Sequence, residues 1–232
     1  MNGIKEKFES FYPGRTPERL YSAPGRTEIC GNHTDHQHGK VLAAAVELLS
    51  RAAVLPNSSG VIRVKSEGYD YFEIDLSELS PVTAERGTTA ALVRGVAAGF
   101  AMRGFAVGGF DAYVSSDVLP GSGLSSSASF EVLIGTVIND LGEFGLTPVE
   151  IARIGQYAEN VFFGKPSGLM DQTACAVGGV ITIDFKDPAH PIVGQTSIDL
   201  AKHKLAMCIT DTKGSHADLT DDYAAIRREM ES

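Results

Sequence analysis

Long apolar runs are missing from this chain. A membrane-spanning helix needs roughly 18 of them in a row, and the two best candidates, Val41–Leu49 and Thr88–Met102, are interrupted by Glu47 and Arg94. No membrane partner is expected. Basic residues are also scarce: 20 Lys and Arg stand against 29 Asp and Glu, a formal net charge of −9 over 232 residues. That balance argues against a sequence-independent grip on nucleic acid, which needs dense positive charge. It leaves room for small anions, which backbone amides or a few local cations can hold. Cysteine is rare too. Cys30, Cys175 and Cys208 are widely spaced and odd in number, so they form neither a disulfide framework nor a zinc ribbon. Buried reduced thiols in a cytoplasmic protein are the expectation. The opening residues, MNGIKEKFESFY, carry no signal-peptide pattern. Internal repeats, low-complexity tracts and Pro/Ser-rich linkers are absent as well.

What remains is the composition of a globular protein, 43% hydrophobic and 21% charged, long enough for one large domain or two small ones. Residues 3–11 read as a short amphipathic helix. Leu20–Ala23, Val41–Leu55, Val61–Lys65 and Tyr71–Ile74 favour strands, separated by turn-like Pro56–Gly60 and Glu67–Asp70. Thr88–Arg103 reads as a helix and Gly109–Ser115 alternates like a strand. Leu124–Leu141 and Pro148–Phe163 have helical periodicity, with Thr147 as N-cap before Pro148. Gly179–Phe185 and Leu205–Thr210 read as strands, and Leu219 onward as a helix. A strand-rich start followed by mixed elements predicts an α+β fold. The last segment stops inside a helical pattern with no capping glycine, which reads as an incomplete chain.

Three segments carry chemistry. Leu119-Pro-Gly-Ser-Gly-Leu-Ser-Ser-Ser-Ala-Ser129 runs from a strand into a helix. Its glycines admit close backbone approach and the first N–H groups of the helix face the ligand, the geometry of a phosphate site. Ser125, Ser126 and Ser127 could add donors or help hold Mg2+. A plain turn with a serine-rich cap is the simpler alternative. The loop is neither a Walker A motif nor a dinucleotide fingerprint, since Ser126 stands where the third glycine belongs. Second, Ala23-Pro-Gly-Arg-Thr-Glu-Ile-Cys-Gly-Asn-His-Thr-Asp-His-Gln-His-Gly39 reads as a Gly-bounded loop with the mix of donors and acceptors that sugar hydroxyls require. A metal site from His33, Asp35, His36 and His38 is its rival. Third, Gly164-Lys-Pro-Ser-Gly-Leu-Met-Asp-Gln172 follows a helix carrying Glu159. Asp171 could be a general base, or a helix cap.

In this order, the three segments resemble the GHMP family of small-molecule kinases, and within it the galactokinases. The carrying residues are Gly25-Arg26…Gly31-Asn32-His33-Thr34-Asp35…Gly39, Leu119-Pro-Gly-Ser-Gly-Leu-Ser-Ser-Ser-Ala128 and Gly168-Leu-Met-Asp-Gln172. The resemblance implies a GHMP-kinase N-terminal fold (ribosomal protein S5 domain 2-like), a mixed sheet with helices. It further implies ATP-dependent phosphorylation of a sugar, most simply galactose, at its anomeric hydroxyl, with Mg2+. By position Arg26 and Asp171 match the catalytic pair, and Asn32, His33, Asp35, Gly168 and Tyr223 match sugar contacts. Pro120, Gly121, Ser122, Gly123, Leu124, Ser125, Ser126 and Ser127 match the ATP loop, and Ser127 with Glu159 the metal ligands. The chain departs from the pattern twice: Asn32 stands where Glu is usual, and Glu28 where Asn is usual. A related kinase for another small molecule such as an amino sugar, or a sugar- and ATP-binding sensor without turnover, are the alternatives. The resemblance makes residues 1–232 the N-terminal domain plus the start, from about 205–215, of a C-terminal domain whose remainder is absent. Self-association through the face that this remainder would cover is expected.

Overall fold

The computed structural model describes residues 2–210, together with 225 and 229. Helix α1 (Asn2–Phe11) precedes strands β1 (Arg19–Cys30), β2 (Lys40–Asn57), β3 (Val61–Ser66) and β4 (Phe72–Asp75). Then come α2 (Thr89–Ala101), β5 (Gly109–Ser116), α3 (Ser126–Leu141) and α4 (Pro148–Tyr157), which passes directly into one π-helical stretch, Ala158–Phe163. Helix α5 (Met170–Val177) and strands β6 (Val180–Asp184) and β7 (Ile192–Thr196) follow. The result is the expected α+β architecture, one seven-stranded mixed sheet with helices against it.

The sheet runs β4-β3-β5-β2-β6-β7, with β1 also paired to β2. All neighbours are antiparallel except β3 and β5, which are parallel and connected through β4 and α2. Strand β2 organises the sheet: it pairs with β1 along most of its length, with β5 through Ser50–Asn57 and with β6 through Lys40–Ala44. Side chains alternate across a strand, so Ala52 and Val54 join Phe110, Ala112 and Val114 of β5 in the core under α2 and α3. Ala53 and Tyr113 face the other way and receive Ile4, Phe8 and Tyr12 from α1 and the turn after it. Each such large apolar side chain contributes about 1.5–3 kcal/mol when fully buried. Helix α2 and the π-helical stretch approach closely at Gly95, where an added Cβ would lie 2.7 Å from the Cβ of Ala158. That contact seats the π-helical stretch carrying Glu159.

Several expectations need correction. The segment read as a loop around Arg26 is strand: β1 continues through a register shift between Pro24 and Arg26. Proline lacks the ladder donor and is accommodated at a bulge, so the punctuation that suggested a loop marks a kink in a strand. Helix α5 and strand β7 were not anticipated. Leu205–Thr210 is irregular rather than a strand. Its alternating Leu205, Met207 and Ile209 are all exposed, and no strand edge among the described residues pairs with them. Of the three cysteines only Cys175 is buried; Cys30 at the end of β1 and Cys208 in that irregular stretch are exposed. Thr147 does cap α4, in a full capping box with Glu150. Apart from residues 225 and 229, the expected helix from Leu219 lies outside the described residues, as does Tyr223. Among the described residues, no helix is long and apolar enough to cross a membrane.

Candidate active site

Strand β1, the loop before α3, and the first turn of α5 converge on one ion pair. Arg26 on β1, only 7% exposed, donates from Nε to Asp171 Oδ1 and from Nη2 to Asp171 Oδ2, both at 2.7 Å. Its third arm, Nη1, donates to the Gly123 carbonyl at 2.6 Å, and its backbone N–H to the Leu124 carbonyl at 3.1 Å. One arginine thus fastens the glycine-rich loop to the acid. Ser125, in a left-handed conformation at φ 57°, donates its hydroxyl to Asp171 Oδ2 instead of capping α3. Burial alone would raise the Asp171 carboxyl. The adjacent Arg26 charge and the hydrogen bonds from Arg26 and Ser125 outweigh it and hold the group well below the usual carboxylate range. Asp171 is therefore an ionised acceptor at any ordinary pH.

The loop from Pro120 to Ser127 is open and glycine-bent. Gly121 and Gly123 have φ of 73° and 77°, which side-chain-bearing residues rarely adopt. No atom lies within 4 Å of a Cβ placed on Gly123, so its surroundings are open on that side. Ser122 Oγ turns back to the Leu119 carbonyl at 2.6 Å, and the Leu124 side chain is buried. Because Ser125 leaves the helix end uncapped, the first amides of α3 remain available to an anion. Ser126 opens the helix.

Ser127, one residue on, donates to Glu159 Oε1 at 2.7 Å, as the metal-ligand expectation requires of neighbours. Glu159 is 1% exposed and is brought there by the π-helical stretch, a form of helix frequent at functional sites. Two hard oxygens suit Mg2+, which takes one or two protein donors and completes its shell with water and phosphate. The residues present fit the ion. The rival site at His33, Asp35, His36 and His38 includes His36, whose side chain lies outside the described residues; among the described residues no group of three or more His, Cys, Asp or Glu could hold a metal.

Two of the sugar-contact candidates, Asp35 and Gly168, meet directly. Asp35 is buried, and its Oδ2 accepts the Met170 N–H at 3.4 Å. It packs so closely on Gly168 that an added Cβ there would sit 1.7 Å from Oδ2. Asn32 and His33 are exposed, in consecutive left-handed conformations at φ 55° and 54°, after Gly31 at φ 129°. This turn is held by Glu28, whose two carboxylate oxygens accept the His33 N–H at 2.9 and 3.1 Å. The departures at Glu28 and Asn32 thus fall in one turn, which the Glu28 carboxylate holds through the His33 N–H.

Residues 91–179 match the model of the GHMP kinases N terminal domain, and residues 6–56 match the galactokinase galactose-binding signature. The chain thus carries a GHMP kinase N-terminal domain and a galactokinase galactose-binding signature. It is 34% identical over 229 residues to a galactokinase of Streptomyces coelicolor, a match covering 97% of this chain and 58% of that protein. A galactokinase of Chloroflexus aurantiacus is 34% identical over 217 residues, covering 89% and 55% respectively. The chain thus spans little more than half the length of these curated relatives and fits their N-terminal portion. Its fold is similar to that of Lactococcus lactis galactokinase complexed with galactose, at a TM-score of 0.79 and 23% identity over 99% of this chain and 61% of that one. Methanococcus jannaschii mevalonate kinase gives 0.68 at 17% identity, over 94% and 71%.

The catalytic, loop and metal-ligand candidates are thus brought together, and Gly168 with Asp35. Tyr223 is not among the described residues. Behind Glu159 lies a set of residues that the reading of motifs missed. Gln172 Nε2 donates to Glu159 Oε2 at 2.8 Å and to Glu131 Oε2 at 3.0 Å, and Lys165 Nζ reaches Glu159 Oε1 at 3.2 Å. Burial, then the neighbouring Glu159 charge, push the Glu131 carboxyl well above the usual range. One signal for Glu131 was in the sequence: it lies four residues after Ser127, on the same face of α3.

Proposed function

We propose that this chain is the sugar- and phosphate-binding part of an ATP-dependent sugar kinase that phosphorylates galactose at its anomeric hydroxyl, giving galactose 1-phosphate. The observation that carries the reading is the Arg26–Asp171 pair, fastened on one side to the glycine-rich loop and set beside the Asp35–Gly168 wall on the other. Phosphoryl transfer asks for positioning and charge neutralisation more than covalent chemistry. In this reading the amides after Ser125 and the open backbone at Gly121 and Gly123 receive the ATP phosphates, while Asp35, His33 and Asn32 hold the sugar.

Asp171 Oδ1 accepts one hydrogen bond, from Arg26 Nε, and Oδ2 accepts two. A carboxylate oxygen has two lone pairs, so Oδ1 keeps one for the reacting hydroxyl. So acidic a carboxyl is a poor proton acceptor until the bond to phosphorus is largely made, which is when a loose transition state releases the proton. Asp171 therefore orients the hydroxyl and takes the proton late, and Arg26 offsets the negative charge of the transferring group. Mg2+, when bound at Ser127 and Glu159, would supply charge neutralisation of the phosphates. Intact Arg26 and Asp171 favour a kinase over a sensor without turnover.

The test is a coupled ADP-release assay on the full-length protein over a panel of free sugars, including galactose and its 2-amino analogue. ADP release that depends on galactose and exceeds that with every other sugar is the expected result. Release that favours the amino sugar would reassign the substrate, and none with any sugar would refute the kinase reading.

A further inference from the structure

Glu159 Oε1 is approached by two donors of the chain itself, the Ser127 hydroxyl at 2.7 Å and the Lys165 ammonium at 3.2 Å. Glu159 is almost wholly buried, whereas the Lys165 side chain is 37% exposed and reaches it from the rim of the site. The main chain fixes the root of that lysine: Gly164, at φ 92°, ends the π-helical stretch, and the N–H groups of Gly164 and Lys165 both donate to the Glu159 carbonyl, at 2.9 and 3.1 Å. The head is the mobile end, a compact ammonium on a flexible four-carbon stem. Facing it are three acids, Glu159, Asp171 and Glu131, all of which favour its charged form against the cost of burial. Asp171 is already answered by Arg26 in a two-pronged pair. Glu159 is answered by Lys165.

This arrangement conflicts with metal binding at the same atom. A divalent ion bonds carboxylate oxygen at about 2.0–2.1 Å when it is Mg2+. An ammonium beside the same oxygen then faces a doubly charged neighbour. We propose that Lys165 is a resident counter-ion of the divalent-cation site. Its ammonium neutralises Glu159 until a metal–nucleotide complex enters, then gives up Oε1 to the metal and swings to the nucleotide phosphates. The inference rests on the kinase reading and deepens it. Lys165 makes metal and nucleotide binding interdependent: metal alone displaces the ammonium without supplying an anion to receive it, whereas metal with nucleotide brings that anion. Such coupling is a property of two ligands and is reciprocal.

The experiment uses Mn2+ as a paramagnetic probe on the full-length protein, titrated by electron spin resonance with and without a non-hydrolysable ATP analogue. In the wild type, the analogue is expected to tighten Mn2+ binding strongly. In Lys165→Met, Mn2+ alone should bind at least about tenfold more tightly, because a unit charge a few ångströms away is removed from a poorly solvated site. The tightening by nucleotide should shrink correspondingly. A second pair keeps the test sharp if the methionine variant does not fold. Lys165→Arg keeps the charge and should keep the coupling, and Lys165→Gln keeps a donor to Oε1 without the charge and should lose it. A charge-neutral variant that binds Mn2+ alone no more tightly than the wild type, with the analogue still bound, overturns the role of Lys165 and leaves the kinase reading standing. A wild type that binds neither Mn2+ nor the analogue overturns both.

Discussion

Replacing Asp171 by Asn should damage stability and turnover together, and the structure says why the two cannot be separated. The substitution is nearly isosteric, but it exchanges one of two acceptor oxygens for an amide donor. Arg26 presents Nε–H and Nη2–H to the two oxygens at 2.7 Å, so in the variant one of these N–H groups faces another donor. The guanidinium, 7% exposed, also loses the charge that balances it. Removing one partner of a buried pair costs about 3–5 kcal/mol. Since 20% of the Asp171 side chain is reachable by water, the lower end applies, about 3 kcal/mol. For a chain of this size that corresponds to roughly 6–12 °C in Tm. Turnover loses the hydroxyl acceptor and should fall by about 10²–10⁴. Scanning calorimetry and the ADP-release assay read the two effects separately. The pH dependence supplies a further check. Because the folded carboxyl is held below its ordinary value, its contribution is fully present above about pH 4, the value of an unfolded Asp, and is lost as pH falls toward the folded one. The Tm gap between wild type and Asp171→Asn should therefore stay constant from neutrality down to that pH and close in stronger acid. The double variant Arg26→Met with Asp171→Asn should lose less stability than the two single losses added, since neither charge is then stranded. Asp171→Asn with wild-type Tm and wild-type kcat, or a gap that widens on acidification, would refute the account.

Two further substitutions probe the sugar wall. Gly168→Ala places a Cβ 1.7 Å from Asp35 Oδ2 and must displace that carboxylate; since a misplacement of about 1 Å can cost 10²-fold, the KM for sugar should rise at least about tenfold while the KM for ATP stays near wild type. Equal effects on both constants would mean that the whole domain has shifted rather than the wall. Glu28→Ala removes both acceptors of the His33 N–H, a charged hydrogen bond worth about 1.5–3 kcal/mol, and should release the left-handed turn at Asn32 and His33. Its sugar KM should rise, with Glu28→Gln, which keeps one acceptor, in between; a sugar KM unchanged in Glu28→Ala would show that the turn holds itself.

The parts of this molecule legible from sequence are those whose cause is local. The capping box at Thr147 and Glu150 is complete within four residues, and the glycine- and serine-rich run before α3 announces its own backbone geometry. The Arg26–Asp171 pair spans 145 positions, and no spacing rule links its members; only the order of three motifs, compared with a family, suggested that they meet. Local signals also misled where tertiary pairing decides. Pro24 and Gly25 look like the start of a loop, yet β2 offers a partner on the far side of the bulge and the strand resumes at Arg26. Leu205–Thr210 has the alternation of a strand and no partner among the described residues, and it is not one. Alternation states which face a strand would bury, and a neighbouring edge decides whether the strand exists. The same distinction governs the site. Lys165 and Gln172 stand in plain view within the third motif, but their roles depend on Glu159 and Glu131 being buried, a property of packed helices rather than of any short stretch of residues. A reading of motifs finds the groups that gather at the Arg26–Asp171 pair. The charges standing behind them become visible only when the fold shows which carboxylates have lost their water.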